Sequence, residues 1–500
     1  MQPHSPARPV IAALLPMVWS VRNIVHAGVM DDVIATARLQ LLMPGATPVD
    51  TATSLGHLPP GAEVAALLEA VGRAPRGKPL VDAVLASGFC VRKGIGSHRL
   101  YQNWWQRHAS RRERVRSGLV AVLGAASARS DRLLTALQMM SSGLYRLGHE
   151  LRPVQTQLSM LEPDLLWSTV CVSPLEYPYL LAARRLGIPT VASILSFDNL
   201  TSRAALPTYD HYLVWSEAMK AELLRLYPRV PAVRVLVTGT PQFDFHRSPD
   251  CRWPRGQTLE ALKLSPDASY LLYAASHEQL APDEPALVTG VRETLDGRAE
   301  LREAFLVVRL HPLDDGPRWS RLAAHPRVRL ERAWSTPTTR DGWTVSSRDD
   351  QARLVSLLLH ADACLNVAST MTLDAAILDR PVIGLELSAE PGAPREIMYS
   401  EYRVDHYRPL VESGGLRLAR SWLELADLVA EARRTPERDR DQRAAMVRAV
   451  CGEVDGRAAQ RVAAAILRIV GAGSPAAGEP PGPRMVAGLR SARSGMRAIS

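Results

Sequence analysis

ADACLNVASTMTLDAAILDRPVIGLEL, residues 361–387, carries the pattern from which the fold of this chain is read. Ala363-Cys364-Leu365-Asn366-Val367 is a short apolar run with the length and composition of a buried parallel strand. It gives way to Ala368-Ser369-Thr370, small and hydroxylated, and then to residues 371–378, apolar at helical spacing. Asp379-Arg380-Pro381 stops that helix, because proline cannot continue it and the residue before proline avoids the α region. Residues 381–385 form the next buried strand. The unit is strand–loop–helix–strand, with hydroxyls where the helix begins. Free N–H groups and the positive end of the helix dipole there favour an anion, phosphate above all. Asp374 lies too far in to be the cap. It would repel an adjacent phosphate, yet it can accept hydrogen bonds from ribose hydroxyls further out. Without a ligand, the same residues read as a helix capped by Ser369 or Thr370 in an ordinary α/β domain.

The hydroxyl pair Ser369-Thr370, the acidic Asp374 one turn in and the turn Arg380-Pro381 together carry a resemblance. The segment resembles the nucleotide-binding segment in the C-terminal domain of GT-B glycosyltransferases. Within them it is similar to the group containing the CDP-glycerol glycerophosphotransferases of teichoic acid synthesis and related bacterial surface-polysaccharide nucleotide-sugar transferases. That resemblance implies an α/β protein of two Rossmann-like domains whose parallel sheets face a central cleft.

Length and composition agree with such a protein. Five hundred residues exceed one small core and suggest two domains. Hydrophobic residues make up 46% and charged residues 22%, the balance of a soluble globular chain. Cys90, Cys171, Cys251, Cys364 and Cys451 are scattered, odd in number and without a CxxC pair, which argues against a disulfide framework or a zinc site. A reducing cytoplasm is expected. Residues 10–21 are apolar but broken by Pro16 and followed by Arg22, so they read as a first strand, not a signal peptide or a membrane span. The net charge of +9 is local: twelve Arg and Lys stand against three acids between Arg92 and Arg152. A solvated helical face would give that count, and so would a surface that meets an anionic membrane. No nucleic-acid recognition motif accompanies it. A peripheral position at the inner face of the cytoplasmic membrane is therefore the expectation for this segment. The adjacent Trp104 and Trp105 beside Arg107 suit an interfacial helix.

Along the chain, residues 9–20 read as the first strand, with Arg22 and Asn23 at its carboxyl end, followed by an amphipathic run over 24–42. Ligands of open α/β sheets bind beyond the carboxyl ends of strands, so Arg22 and Asn23 are candidates to meet an acceptor or a phosphate. An Asn that starts a helix beside a surface Arg reads equally well. Residues 62–151 look largely helical and include the basic insertion at 92–152. Strand, helix and strand over 165–172, 177–186 and 190–195 then show the alternation of a parallel sheet.

Ser196-Phe197-Asp198-Asn199-Leu200-Thr201-Ser202-Arg203 closes that strand with a carboxylate, an amide, hydroxyls and a guanidinium. It resembles the WDN-x-T-S-K segment of some bacterial surface-polysaccharide transferases, with Phe197 for Trp and Arg203 for Lys. Asp198 is the candidate general base, since an inverting transfer must deprotonate the acceptor hydroxyl. An Asx-turn organising the loop is the alternative, and His26 and His211 are competing bases. Residues 233–239, ending in Thr238-Gly239-Thr240-Pro241 before Phe243-Asp244, resemble the close of a GT-B N-terminal domain.

In the second half, Ser276-His277-Glu278 follows the strand at 270–275, in a loop that the resemblance turns toward a nucleotide diphosphate. Arg309-Leu310-His311-Pro312 matches the R-x-HP of the glycerophosphotransferase-like group, where these residues approach the pyrophosphate. Arg offers phosphate a planar fork of donors, and His can donate or be protonated beside an anion. Glu386, Ser388 and Glu390 are candidates for base or sugar contacts. A helix at 455–470 is of the kind that in GT-B folds packs back across the domain junction.

The resemblance thus implies an N-terminal acceptor domain at 1–250, a linker at 251–266, a C-terminal nucleotide domain at 267–470 and a disordered basic tail at 471–500. The expected activity is metal-independent glycosyl transfer from a nucleotide sugar to a saccharide or lipid-linked acceptor. Donor contacts fall to Arg309, His311, Ser369, Thr370, Asp374 and His277, with His311 also catalytic beside Asp198. Acceptor contacts fall to Arg22, Asn23, Asn199 and Arg203. No cofactor is expected beyond a nucleotide-sugar or CDP-alcohol donor substrate. No metal site is expected either, since Asp31-Asp32 and Asp314-Asp315 read as surface acids. Three alternatives stand beside this. They are a CDP-glycerol-type glycerophosphotransferase, a non-hydrolysing nucleotide-sugar 2-epimerase (whose GTRPE signature is replaced here by VWSVRNIV), and a catalytically idle scaffold of a polysaccharide complex.

Overall fold

Fifteen short strands, most of them runs of Val, Leu, Ile and Ala, organise the described residues. The computed structural model describes residues 8–44, 61–97, 110–202, 205–278, 281–314, 316–335, 346–387 and 401–473. In the first half the strands are β1 (Val10–Leu14), β2 (Arg38–Met43), β3 (Ala62–Ala66), β4 (Val71–Gly72), β5 (His149–Glu150), β6 (Leu165–Ser168), β7 (Thr190–Ser193), β8 (His211–Val214) and β9 (Val235–Val237). Seven of them form a parallel sheet in the order β3-β2-β1-β6-β7-β8-β9, and β4 pairs antiparallel with β5. In the second half, β10 (Tyr270–Ala274), β11 (Phe305–Arg309), β12 (Val328–Glu331), β13 (Cys364–Asn366), β14 (Val382–Leu385) and β15 (Leu416–Ala419) form a six-stranded sheet, also parallel. Its order is β12-β11-β10-β13-β14-β15.

Crossover helices cover both faces of such sheets, which is why the inner strands are apolar throughout and not alternating. Tyr270, Leu271, Leu272 and Tyr273 are all fully buried. Each sheet reverses its direction of growth once, between β1 and β6 in the first and between β10 and β13 in the second. The crevice beyond the carboxyl ends at such a reversal is where open α/β sheets bind ligands. The architecture is GT-B-like, as the resemblance implied.

The last helix, Ala458–Gly473, returns to the first half. Val462 and Ile466 are buried there in one cluster with Val29, Met30 and Val33. Burial of such side chains stabilises by roughly 1.5–3 kcal/mol each before ordering costs. Its first turn is capped from outside, since Asp244 accepts from the backbone N–H groups of Ala458 (3.1 Å) and Ala459 (2.8 Å). Gly452, with φ +74, precedes this return. A Cβ there would lie 2.4 Å from the Trp215 carbonyl oxygen, so the close approach admits only glycine.

Several local readings change. Residues 62–66 are not helical but add β3 to the sheet edge, because tertiary pairing with β2 overrides the helix preference of Ala and Glu. The run at 24–42 divides at Gly28 (φ +83) into a π-helical turn, Val21–His26, and a helix, Val29–Thr36, and then enters β2. The linker stretch contains the helix Arg255–Ala261. Asp314 is not a surface acid: its side chain is 1% exposed and accepts from Arg318 Nε (2.7 Å) and Trp319 Nε1 (2.8 Å). Residues 104, 105, 107, 203, 315, 388, 390 and 474–500 lie outside the described residues.

Candidate functional site

The loop from β13 into the helix Met371–Ile377 bends through Ala368, whose φ of +43 is costly for a residue with a side chain. Hydroxyls and one amide hold it there. The Tyr402 hydroxyl accepts from the Ala368 N–H (3.1 Å) and donates to the Asn366 carbonyl (3.2 Å). Buried Asn366 accepts from the Ser369 N–H (3.1 Å), and Tyr407 donates to the Ser369 carbonyl (3.1 Å). Thr372 Oγ1 lies 2.8 Å from the Tyr407 hydroxyl. The Ser369 hydroxyl is used locally, accepting from the Met371 N–H at 3.3 Å. Exposed Thr370 occupies the cap position without a side-chain cap bond.

Two strands across, β11 ends in Arg309, which is 7% exposed. Its Nη2 donates to the Ala333 carbonyl at 2.8 Å, while its Nη1 is buried with no hydrogen-bond partner among the described residues. Burial pushes this guanidinium down to about 10, against the pull of Glu331, Asp350 and Asp374, so it remains a cation at neutral pH. A buried cation with an unused donor is costly unless an anion completes it.

His311 follows in the next loop. Its Nδ1 accepts from the Leu313 N–H (3.2 Å), which assigns the proton of the neutral ring to Nε2. Burial, and then the His277 ring, push its pKa down to about 4. The His277 and His311 rings meet edge to face at 5.2 Å. The pair therefore comes from the ends of β10 and β11, with the Ser369 loop on the opposite flank of β10.

Asp374 joins the halves. His246, from the turn that closes the first half, places Nε2 3.0 Å from Asp374 Oδ1. The distance suits an ion pair, although the geometry is out of line for a hydrogen bond. Asp374 also acts on Arg309 and on Arg22. Arg22 keeps some solvent contact, yet it lies deep enough in protein for desolvation to lower its pKa, with Asp374 opposing. Arg22 Nε donates to Asn23 Oδ1 (2.8 Å) and its Nη2 to Gln242 Oε1 (2.9 Å), while Asn23 Nδ2 donates to the same Gln242 oxygen (3.2 Å). Across the same junction Trp19 meets Trp334 at 5.1 Å.

Asp198 stands at the carboxyl end of β7. Its Oδ2 accepts from the Ser202 hydroxyl (2.6 Å), and its Oδ1 lies 3.4 Å from Asn199 Nδ2. Asn199 is buried and committed within its loop, since its Oδ1 accepts from the Ser196 N–H. Both side chains thus organise the loop, but through a bond three residues back and a bond to a hydroxyl four residues on, not through an Asx-turn, and the Asp198 carboxylate is only partly buried. From the second half, His406 reaches this loop: its Nδ1 lies 3.4 Å from Thr201 Oγ1, and its ring packs on Phe197 at 5.5 Å. Burial lowers the His406 pKa, while Asp198 and Asp405 raise it.

Arg22, Asn23, Arg309 and Asp374 therefore share one junction, and the Asp198 and Ser369 loops both pack on the stretch around Tyr407. His211 does not belong to it. It begins β8, at the amino end of the strand and opposite the cleft. Glu386 is engaged by Arg403 and Arg420. Sequence reasoning missed His246, Gln242, Tyr402, His406 and Tyr407. Gln242 and His246 follow the Thr238–Pro241 motif, whereas Tyr402, His406 and Tyr407 carry no sequence signal and are brought in by proximity in space. Among the described residues no group of three His, Cys, Asp or Glu is placed to hold a metal ion.

No family model and no curated protein matches the chain. Solved structures do. An S. aureus MnaA–UDP co-structure superposes with a TM-score of 0.51 at 12% identity, over 93% of this chain and 97% of that one. A putative UDP-N-acetylglucosamine 2-epimerase from Listeria monocytogenes gives 0.52 at 13%, over 93% and 98%. A further UDP-N-acetylglucosamine 2-epimerase gives 0.50 at 12%, over 93% and 96%. At these identities the likeness is one of fold.

Proposed function

We propose that the chain binds a nucleotide-activated sugar in the cleft between its sheets and transfers the glycosyl group to an acceptor hydroxyl. The observation that carries this is the buried Arg309 guanidinium with its unused Nη1 at the end of β11. An anion of the diphosphate class is the ligand that would complete it. His311 would add a neutral Nε2–H donor to the same charge, and His277 and the Ser369-Thr370 loop would close around it. Asp374 Oδ1 faces His246, and its Oδ2 forms no hydrogen bond with a described residue, which leaves that oxygen for a ribose hydroxyl.

On this reading the acceptor enters from the side of Arg22, Asn23 and Asp198. Asp198 takes the acceptor proton, the acceptor oxygen bonds to the anomeric carbon, and the bond from that carbon to the diphosphate oxygen breaks. Arg309 and His311 receive the developing charge on the leaving diphosphate, the electrostatic term that dominates such transfers.

A second reading is 2-epimerisation of a nucleotide sugar, because the solved structures similar in fold carry that name. The two are separated by product analysis of purified protein given nucleotide sugars with and without saccharide acceptors. Transfer releases a nucleoside diphosphate only when an acceptor is present, whereas epimerisation returns an isomeric nucleotide sugar without acceptor. Release of a nucleoside monophosphate from CDP-glycerol would assign glycerophosphoryl transfer. Absence of nucleotide binding would leave the scaffold role.

A further inference from the structure

The helix Arg111–Ser127 has two apolar faces, and only one of them is used within the fold. Its inner face carries Val120, Gly124 and Ser127, packed on the helix Lys78–Lys93. The crossing is tight: a Cβ on Gly88 would fall 2.1 Å from Ser127 Oγ, and one on Gly124 would fall 2.4 Å from Ser87 Oγ. Arg111, Val115, Leu119 and Val122 follow one another at steps of four, four and three residues, so they share a second face. Arg112, Arg116 and Leu123 continue it. Val115 is 70% exposed and Val122 68%, and unlike exposed Val233 or Leu423 elsewhere they lie together with Leu119 on one face.

The nearby acids do not neutralise these arginines. Glu113 is used in a capping box with Ser110, and Asp131 pairs with Arg92 at 2.6 Å. Arg111, Arg112, Arg114 and Arg116 form no ion pair with any described residue. Arginines beside exposed apolar side chains on one helix face find both of their partners at an anionic membrane surface, headgroups for the guanidinium groups and acyl chains for the apolar groups. A second copy of this face would set arginines against arginines in a parallel pairing and against residues 118–127, which hold no carboxylate, in an antiparallel one, so neither neutralises them. Nucleic acid would leave the stripe in water. No described helix is long and apolar enough to cross a bilayer, so the contact is superficial.

We infer that the exposed face of Arg111–Ser127 docks the protein on an anionic phospholipid surface, the arginines on headgroups and Val115, Leu119 and Val122 among acyl chains. The inference does not depend on the activity proposed above.

The test is co-sedimentation of the full chain with phosphatidylcholine vesicles, with and without phosphatidylglycerol, at low and high salt. Binding is expected only with phosphatidylglycerol and is weakened by salt. Arg111→Glu with Arg112→Glu should lower partitioning by at least about fivefold per arginine, the equivalent of roughly 1 kcal/mol each. Both positions are exposed and in the first helical turn, where carboxylates suit the dipole, so the fold should survive. Leu119→Gln with Val122→Gln should also weaken binding while leaving its salt dependence intact. Three results would overturn the inference. They are no binding to phosphatidylglycerol vesicles, binding that the apolar pair does not affect, and a solution dimer that Leu119→Gln dissociates without changing lipid binding.

Discussion

His246 Nε2 and Asp374 Oδ1 lie 3.0 Å apart, and they belong to opposite halves of the chain. His246 closes the first sheet's half, and Asp374 sits in the helix that follows β13. The contact places one carboxylate among His246, Arg22 and Arg309, so it balances the positive charge of the junction.

Removing Asp374 should therefore split two ligands that share a phosphate. Asp374→Ala loses the proposed ribose acceptor but makes the junction more positive. Nucleoside diphosphate binding should fall about ten- to a hundredfold, the cost of one hydrogen bond to a charged group. Inorganic pyrophosphate binding should hold or tighten. Calorimetric titration of both ligands checks this, and parallel losses for the two would place Asp374 elsewhere.

Arg309 should show a trade between stability and binding. A desolvated cation is a burden on the empty protein, and replacing buried charge by apolar volume is often neutral or stabilising. Arg309→Met should leave the unliganded melting temperature unchanged or higher and abolish any nucleotide-induced rise. A large drop in the unliganded melting temperature would make Arg309 a structural residue.

His311 gives a pH signature. Its folded pKa of about 4 lies below the ordinary 6.5, so the folded state favours the neutral ring. This contribution is therefore complete above about 6.5 and is lost as pH falls through about 4. It amounts to up to about 3 kcal/mol. His311→Gln should therefore lose less stability than wild type between neutral pH and pH 4, as read by urea unfolding. Identical acid limbs would contradict the assignment.

Tyr402 tests the loop. Tyr402→Phe removes the acceptor of the Ala368 N–H, at a residue already in a positive-φ conformation. An expected loss of about 1–3 kcal/mol in unfolding free energy follows from the orphaned group. The nucleotide-dependent thermal shift should shrink with it, because the same bonds shape Ser369. An unchanged shift would separate the loop from the ligand.

What was legible in the sequence was local. The strand–loop–helix–strand of 361–387 could be read because each residue type matches its own backbone state, and Arg309-Leu310-His311-Pro312 because it ends an apolar strand. Residues 62–66 were misread because Ala and Glu favour helix, and only pairing with β2 makes them a strand. Asp314 was misread because a pair of acids leading into a Gly-Pro turn looks exposed, while Arg318 and Trp319 enclose it. His246 and Tyr407 carry no periodicity or motif of their own. Their importance arises when residues far apart in sequence meet at the junction.

If Arg309 waits for a diphosphate, a thermal-shift and titration panel of UDP, CDP, GDP, ADP and TDP on wild type and Arg309→Met will show it. At least one nucleoside diphosphate should bind and stabilise the wild type, and Arg309→Met, still folded, should bind none of them. Equal binding by both proteins, or no binding by the wild type, would contradict it.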